Sequence, residues 1–227
     1  LSSILGWRDM PLAEQLSGKY DVPVYIGNNT EFAALAQIAF TTNHTANNPT
    51  PQNGNRNLVT VLMNDSVEVG ITLEGIAYHG GSDIGCLRLA GVTRLETLLG
   101  WQAVQQRAAE LIRTDSYLHQ LPLNYLYIRH AADLHDAAAL QLYDELAGHL
   151  AQIFAWIIGL LRPDRVSLVG PIADLGERLL EIIAARVEYL LLPELVNHVR
   201  FSLADNAQTL SAQGAVAQAL RNELGIL

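Results

Sequence analysis

The residues best suited to chemistry in this 227-residue chain are its histidines, its single cysteine and one acidic cluster. Cys86 alone can form neither an internal disulfide nor a zinc site of several cysteines. Asp133, His135 and Asp136 are close in sequence, but on the helix predicted there they point in different directions and form a solvated face. Other histidines are scattered: His79, His119, His130, His149 and His198. The sequence therefore predicts no bound metal and no cofactor.

Polar side chains also occupy a predicted turn between a strand and a helix. Residues 22–26 are typical of a strand, and Asn28 and Asn29 come between them and an alanine-rich helix. Asparagine is a strong helix N-cap, so these two residues could serve only to begin the helix. Their amide groups could instead contact a ligand, and both interpretations stay open at this point.

The elements that would position these residues form an antiparallel meander followed by alternating helices and strands. The sequence predicts helices at 12–20 and from 31 onwards, then a loop at 41–57 that marks a lobe boundary. The pattern indicates the α/β class. The later predicted elements are strands at 58–63, 67–73 and 76–78, helices at 93–113 and 131–161 (one helix or two), a strand at 165–170, a helix at 176–192, a strand at 199–203 and a helix at 211–223.

Composition excludes several classes of function. Acidic residues outnumber basic ones by 23 to 14, and the net charge of −9 repels phosphate backbones. Contact with DNA is therefore expected only through a domain outside this chain. The apolar run at 150–161 is shorter than the roughly 20 residues that cross a bilayer, so no membrane span is predicted. A single cysteine fits a reducing compartment and predicts a cytoplasmic protein.

Several segments, in order and spacing, carry a resemblance that covers almost the whole chain. They are Leu5-Gly6-Trp7 and Pro11-Leu12 ahead of Val22-Pro23-Val24, the run from Asn28 to Ala36, Gly80 to Cys86, Leu95-Glu96-Thr97, Arg162 to Gly170, and Gly214 to Ala217. Together they resemble the ROK family of repressors, open reading frames and sugar kinases. The resemblance implies an α/β chain with the actin-like ATPase (ribonuclease H-like) two-lobed fold. The first phosphate loop of the family would lie upstream of Leu1, so the N-terminal lobe is expected to be incomplete. The expected division is 1–45 as the remainder of that lobe, 46–210 as the C-terminal lobe and 211–227 as a closing helix.

The resemblance also implies that groups needed by a kinase are missing. The catalytic base of the family, an aspartate, is matched by Asn29, whose neutral amide cannot accept a proton. The glycine-rich phosphate turn is matched by residues 63–70, where only Gly70 remains and where Asp65 and Glu68 add negative charge. A simple hairpin turn is the alternative interpretation of this segment. Either interpretation excludes tight ATP binding by the route the family uses.

Two further family positions are altered. At the adenosine end, Gly170-Pro171 replaces paired glycines, which also fits a plain connection between a strand and a helix. The loop that carries a zinc ion in many family members looks deleted. Cys86 takes the position of a family histidine that contacts sugar, and its alternative role is that of a small buried apolar residue.

By resemblance, the residues that could still bind a sugar are Asn28, Asn29, Asp83 and Glu96. Carboxylates and amides suit neighbouring hydroxyl groups because they accept and donate hydrogen bonds in one plane. Asp83 replaces a family glutamate and is one methylene shorter. The alternatives are a loop-capping role for Asp83 and, for Glu96, an exposed carboxylate that interacts favourably with a helix dipole.

The expected function is that of the sugar-sensing and oligomerising domain of a ROK-type transcriptional regulator, without enzymatic activity. Its effector would be a monosaccharide or sugar derivative, and a helix-turn-helix domain would precede Leu1. A homodimer is expected, because the apolar helices of residues 93–161 offer surface for self-association. The alternatives are an interaction module that binds no sugar and a divergent ATP-dependent sugar kinase.

Overall fold

The computed structural model of the chain describes residues 10–40, 56–78, 80, 83–89, 93–204 and 207–225. The helices are Leu12–Tyr20 (α1), Asn29–Ala39 (α2), Glu96–Leu99 (α3), Trp101–Leu111 (α4), Tyr125–Asp133 (α5), Ala137–Leu161 (α6), Glu177–Leu190 (α7), Pro193–Val196 (α8) and Ala207–Leu224 (α9). Short 3-10 helices span Tyr117–Gln120 and Pro171–Leu175. The strands are Leu58–Met63 (β1), Val67–Leu73 (β2), Ile76–Tyr78 (β3), Arg88–Leu89 (β4), Thr93–Arg94 (β5), Arg165–Val169 (β6) and Arg200–Ala204 (β7).

Five of these strands form one mixed sheet in the order β3-β2-β1-β6-β7. The first three strands form the predicted antiparallel meander, with Thr60 opposite Gly70. Strands β6 and β7 then extend the sheet in parallel from β1, so that Thr60 also lies beside Ser167. The carboxyl ends of β1, β6 and β7 consequently share one edge of the sheet, where ligands of open α/β sheets usually bind.

The sheet separates two helical layers. Alternate residues such as Val59, Val61 and Val67 face the main core, which α4, α5, α6 and α7 complete. The opposite face is covered by α2, which packs on β1 and β2, while α9 packs on α2. Gln37 ties α2 to the sheet by donating a hydrogen bond from Nε2 to Oγ1 of Thr60, at 3.0 Å. Both faces of β1 and nearly all of β6 are therefore buried, which explains the apolar character of these two central strands.

The helical segment at residues 131–161 is two helices. His135 takes a left-handed conformation with φ of 61°, which ends the helical path after α5. Asp136 then caps α6, because its Oδ1 accepts a hydrogen bond from the N–H of Ala139 at 3.0 Å. Its Oδ2 accepts from the N–H of Tyr117 at 2.7 Å. The interpretation of Asp133, His135 and Asp136 as one solvated helical face is thus wrong for Asp136, which has a structural role.

Two other predictions need correction. Residues 22–26 form no strand, because none of the described strands pairs with them, and the Ile26 side chain remains 56% exposed. The single helix predicted at 93–113 is interrupted at Gly100, whose ψ of 151° is extended. A Cβ at Gly100 would lie 2.7 Å from the carbonyl oxygens of both Asp65 and Glu96, so only glycine fits where the β1–β2 turn meets the break. Most of the predicted loop at 41–57 lies outside the described residues.

Within the described part of the chain, no helix combines the length and the hydropathy that crossing a membrane requires.

Candidate functional site

Asn28 and Asn29 begin α2, as the sequence predicts. Asn28 is the N-cap: its Oδ1 accepts hydrogen bonds from the N–H and the hydroxyl of Thr30, at 3.2 and 3.1 Å. The Glu31 carboxylate accepts in return from the N–H of Asn28 at 3.5 Å, which completes a capping box. The Asn29 side chain is exposed, and its carbonyl oxygen accepts a hydrogen bond from Ser211 on α9 at 2.9 Å. The capping role is therefore confirmed for Asn28, while Asn29 presents its amide to solvent.

The start of α2 rests directly on strand β2. A Cβ at Gly70 would overlap the carbonyl oxygen of Thr30, so only glycine permits this approach. Glu68 lies two residues from Gly70 on the same face of the strand, because side chains alternate along a strand. The asparagine turn is thus adjacent to a carboxylate of the sheet.

Asp83 and Glu96 meet around Gly85. Asp83 pairs with Glu68 through an isolated antiparallel bridge. The N–H of Gly85 donates to the carbonyl of Val67 at 2.8 Å, and the N–H of Glu96 donates to the carbonyl of Gly85 at 3.0 Å. A Cβ at Gly85 would lie 3.3 Å from Oδ1 of Asp83 and 3.3 Å from Cβ of Glu96. Residues 13 positions apart in sequence therefore flank one glycine.

Glu68 is a member of this site that the sequence placed only in the phosphate turn. It is half-buried, pairs with Asp83 and lies two residues from Gly70, on which the start of α2 packs. Its Oε1 accepts a hydrogen bond from the hydroxyl of Ser66 at 2.8 Å. The alternation of buried Val67 and Val69 with Glu68 and Gly70 was the available signal that Glu68 faces α2.

The turn between β1 and β2 is a closed hairpin turn. The N–H of Asn64 donates to the carbonyl of Ser66 at 3.1 Å, and the N–H of Ser66 donates to Oδ1 of Asn64 at 2.9 Å. The carbonyl of Asn64 accepts the N–H of Trp101 at 2.9 Å. Asp65 is exposed at the tip, and burial together with this negative charge raises the pKa of the Tyr125 phenol beneath it. The hairpin interpretation of this segment is confirmed.

The connection after β6 keeps its glycine conformation. Gly170 has φ of 108°, which a residue with a Cβ rarely adopts, and its N–H donates to the carbonyl of Ala204 at 3.1 Å. Pro171 then begins a 3-10 helix. The turn between the strand and the following helical segment is therefore kept, as the sequence predicts.

Cys86 lies beside Asp83 and is exposed, so its interpretation as a buried apolar residue is wrong. Its thiol donates to the carbonyl oxygen of Asp83 at 3.0 Å. Because the chain has no second cysteine, its residues do not fit the cysteine-rich zinc site of the family. Among the described residues, no three His, Cys, Asp or Glu side chains come together as metal ligands.

The candidate site is a cluster of amide and carboxylate side chains at one end of β2. None of Asp65, Glu68, Asp83 and Glu96 forms an ion pair with a basic side chain in the described ranges. Such groups can accept hydrogen bonds from the hydroxyls of a polyol. They offer no cation to a phosphate group.

Sequence comparison finds relatives of two kinds, a sugar kinase and a transcriptional repressor. The model of the ROK family matches residues 2–222. A glucokinase from Halalkalibacterium halodurans is 26% identical over 222 residues, covering 88% of this chain and 64% of the relative. The DNA-binding transcriptional repressor Mlc of Escherichia coli is 22% identical over 232 residues, covering 95% of this chain and 55% of the relative. The chain thus spans less than two thirds of the length of both curated relatives.

Solved structures share the fold. A ROK family glucokinase from Streptomyces griseus, in complex with glucose and AMPPNP, matches with a TM-score of 0.73 and 19% identity, over 96% of this chain and 74% of that one. A ROK family transcriptional regulator, a homologue of E. coli Mlc, matches with a TM-score of 0.77 and 22% identity, over 92% of this chain and 55% of that one. These likenesses confirm the predicted actin-like ATPase fold.

Proposed function

The chain belongs to the ROK family, and we propose that it is the sugar-sensing domain of a cytoplasmic transcriptional regulator that has lost kinase activity. Its relatives include both a glucokinase and a repressor, so membership alone does not choose between enzyme and sensor. The choice rests on the chemistry of the site. DNA would be bound through a domain outside this chain.

The observation that carries the proposal is the β1–β2 turn. A kinase needs free backbone N–H groups at this turn to hold the phosphates of ATP. Here the N–H groups of Asn64 and Ser66 are already bonded within the turn. Asp65 and Glu68 also add negative charge beside it, which would repel a triphosphate. The turn is built to support the sheet and α4 rather than to receive a nucleotide.

The site also lacks a base for phosphoryl transfer. The family aspartate is matched by Asn29, whose amide cannot take a proton from a sugar hydroxyl. The amide can still donate and accept hydrogen bonds, because it is exposed at the start of α2. Loss of the base with retention of polar groups fits binding without turnover.

The ligand of this site would be a monosaccharide or a sugar derivative held by Asn28, Asn29, Asp83 and Glu96. Binding would favour one arrangement of α2 and α3 around β2, since the sugar would contact the start of both helices. A ligand that binds one of two conformations more tightly shifts the population towards it. In a regulator, that shift would change the affinity of the attached DNA-binding domain.

Thermal unfolding of the chain in the presence of a panel of sugars tests this proposal. The panel should contain hexoses, amino sugars and sugar phosphates, with ATP as a separate arm. A sugar at about 100 times its dissociation constant stabilises the folded state by roughly 2.7 kcal/mol. That corresponds to an increase of roughly 5–10 °C in Tm for a chain of this length.

Each outcome of the panel separates the candidate functions. Stabilisation by any sugar or sugar phosphate of the panel, without stabilisation by ATP, supports the sensor. Stabilisation by no compound at millimolar concentration favours an interaction module that binds no sugar. Stabilisation by ATP favours a divergent kinase.

Restoring the missing base should not restore catalysis. We expect the Asn29→Asp variant, with ATP, magnesium and hexoses, to form no more sugar phosphate than a reaction without protein. The reason is that the N–H groups of Asn64 and Ser66 stay bonded within the β1–β2 turn, and that Asp65 and Glu68 keep negative charge beside it. A coupled ADP assay measures this, with a ROK glucokinase run in parallel as the positive control. Turnover at an ordinary enzyme rate of about 1 s⁻¹ or more, in either form, would contradict the proposal.

A further inference from the structure

The first half of strands β6 and β7 is polar on the face turned towards α2. Alternate residues of β6 belong to the main core, so Arg165 and Ser167 face the opposite way. Their partners in register on β7 are Arg200 and Ser202. The guanidinium of Arg165 marks the direction of this face, because Nη2 donates to the carbonyl oxygen of Gln37 on α2 at 3.4 Å. We call the two arginines and two serines the β6–β7 polar face.

Three buried polar atoms of this face have no hydrogen-bond partner. They are Nε of Arg165 and the Oγ atoms of Ser167 and Ser202. Across the part of the chain that the structure describes, only two other buried side-chain atoms share this condition. Ser167 is a fully buried residue. Because a buried polar group without a partner destabilises a fold, a cluster of three such groups indicates a ligand that supplies the partners.

The two arginines also lie side by side without a counter-charge. Arg165 is half-buried, Arg200 is exposed, and the two are direct neighbours in register. Neither forms an ion pair with a carboxylate in the described ranges. Burial, together with the positive charge of Arg200, lowers the pKa of the Arg165 guanidinium. In a chain with 23 acidic and 14 basic residues, this pair is a local reversal of charge.

The nearest carboxylate in the sequence is already engaged. Asp164 precedes Arg165, and its Oδ2 accepts a hydrogen bond from the N–H of Asn57 at 2.9 Å. Residues 41–55 precede β1, which pairs with β6, and their sequence contains no aspartate or glutamate. The parts of the sequence next to β1 and β6 therefore offer no free carboxylate to the arginines.

From this arrangement we infer that the β6–β7 polar face binds a small oxyanion, namely a phosphate group. A guanidinium holds phosphate through paired N–H donors, and a serine hydroxyl can donate to a phosphate oxygen as well. A phosphate seated between the two guanidinium groups would offset their repulsion and accept hydrogen bonds from Arg165 and Ser202. The ligand is a small anion rather than a polyanion, because the net charge of −9 repels extended phosphate backbones.

This face lies at the edge of the sheet opposite to the candidate sugar site. Arg165 and Arg200 begin β6 and β7, whereas Glu68 and its partner Asp83 lie where β2 begins, beside the end of β1. Since β1 and β6 run parallel, the five residues of β6 separate the two edges by about 13 Å. Loss of phosphate binding should therefore leave the binding of an unphosphorylated sugar intact.

Phosphorus NMR of inorganic phosphate, together with thermal unfolding, tests the inference on the 227-residue chain at constant ionic strength. We expect a dissociation constant of about 1 mM or lower, as a few charge-assisted hydrogen bonds provide. Arg200→Gln should raise this constant roughly 10-fold or more, the usual effect of losing a hydrogen bond to a charged group. The Tm without phosphate should not fall, because Arg200 is exposed and its loss relieves the repulsion on Arg165.

Ser202→Ala is a second variant that does not alter charge. It should also weaken phosphate binding, and it should leave the Tm without phosphate unchanged or higher, because the hydroxyl has no partner in the unliganded fold. Arg113→Gln is the matched control. It removes the same charge as Arg200→Gln, from a side chain after α4 that is 86% exposed, and it should leave the dissociation constant unchanged.

A phosphate monoester, glycerol phosphate, distinguishes two sources of the ligand. Tighter binding than that of inorganic phosphate indicates the phosphate group of a metabolite, equal or weaker binding indicates free phosphate, and both results support the site. No binding of inorganic phosphate at about 20 mM, roughly 20 times the expected constant, would overturn the inference. So would binding that Arg113→Gln weakens as much as Arg200→Gln does, or acetate that binds as tightly as phosphate.

Discussion

Replacement of Gly214 by alanine is expected to lower the free energy of unfolding by about 3 kcal/mol, at the upper end of overpacking effects. Gly214 is buried where α9 crosses α2, and a Cβ there would overlap the carbonyl oxygen of Phe32. Backbone cannot move aside as a flexible side chain can, so the two helices must separate. The same separation would strain the bond from Ser211 to the carbonyl of Asn29, at the start of α2.

Thermal and urea unfolding measure this effect, with Gly18→Ala as the control. Gly18 is also a helical glycine, but no atom lies within 4 Å of the position of its Cβ. Alanine there should stabilise the chain by up to about 1 kcal/mol, because it restricts the unfolded chain. For Gly214→Ala we expect a decrease in Tm of roughly 6–12 °C. Equal behaviour of the two variants would show that α2 and α9 do not cross at Gly214.

Glu96→Gln is expected to weaken sugar binding by roughly 10- to 100-fold, the usual range for losing a hydrogen bond to a charged group. Glu96 begins α3 and flanks Gly85 together with Asp83, so its carboxylate is placed to accept sugar hydroxyls. Glutamine keeps the size and shape of the side chain. The Tm of the unliganded chain should therefore stay the same.

Isothermal calorimetry with the sugar that gives the largest thermal shift measures this change. Glu181→Gln is the control, because Glu181 is an exposed glutamate on α7, away from β2 and α3. The affinity of the Glu181→Gln variant for the sugar should match that of the wild-type chain. If Glu96→Gln binds as tightly as the control, the sugar lies elsewhere, whereas a lower Tm without sugar would assign Glu96 a structural role instead.

Much of the local structure follows from residue types alone. The alternation in Val67–Leu73 predicts a strand with two different faces, and Asn28 predicts the start of α2. The amide at Asn29 and the absence of glycine from residues 63–69 are likewise read directly from the sequence. These features are local, because each depends on side chains within a few residues of one another.

Other features depend on contacts between distant parts of the chain. Leu58 lies beside Arg165, 107 residues away, and this pairing sets the order of the sheet. The helical pattern of residues 93–113 is interrupted at Gly100, where the turn at Asp65 makes a close approach. Residues 22–26 lack a partner strand among the described residues despite their strand-like sequence. Propensity is a weak prior that such non-local packing overrides.

The candidate site likewise combines features that the sequence determines with features that depend on the tertiary structure. The residue types of the proposed site, two amides and two carboxylates, are determined by the sequence. Only the tertiary structure brings Asp83 and Glu96 to the same glycine and pairs Asp83 with Glu68. The physical reason is that side chains on β2, α2 and α3 become neighbours only after the hairpin, the capping box and the packing of α2 on Gly70 have formed together.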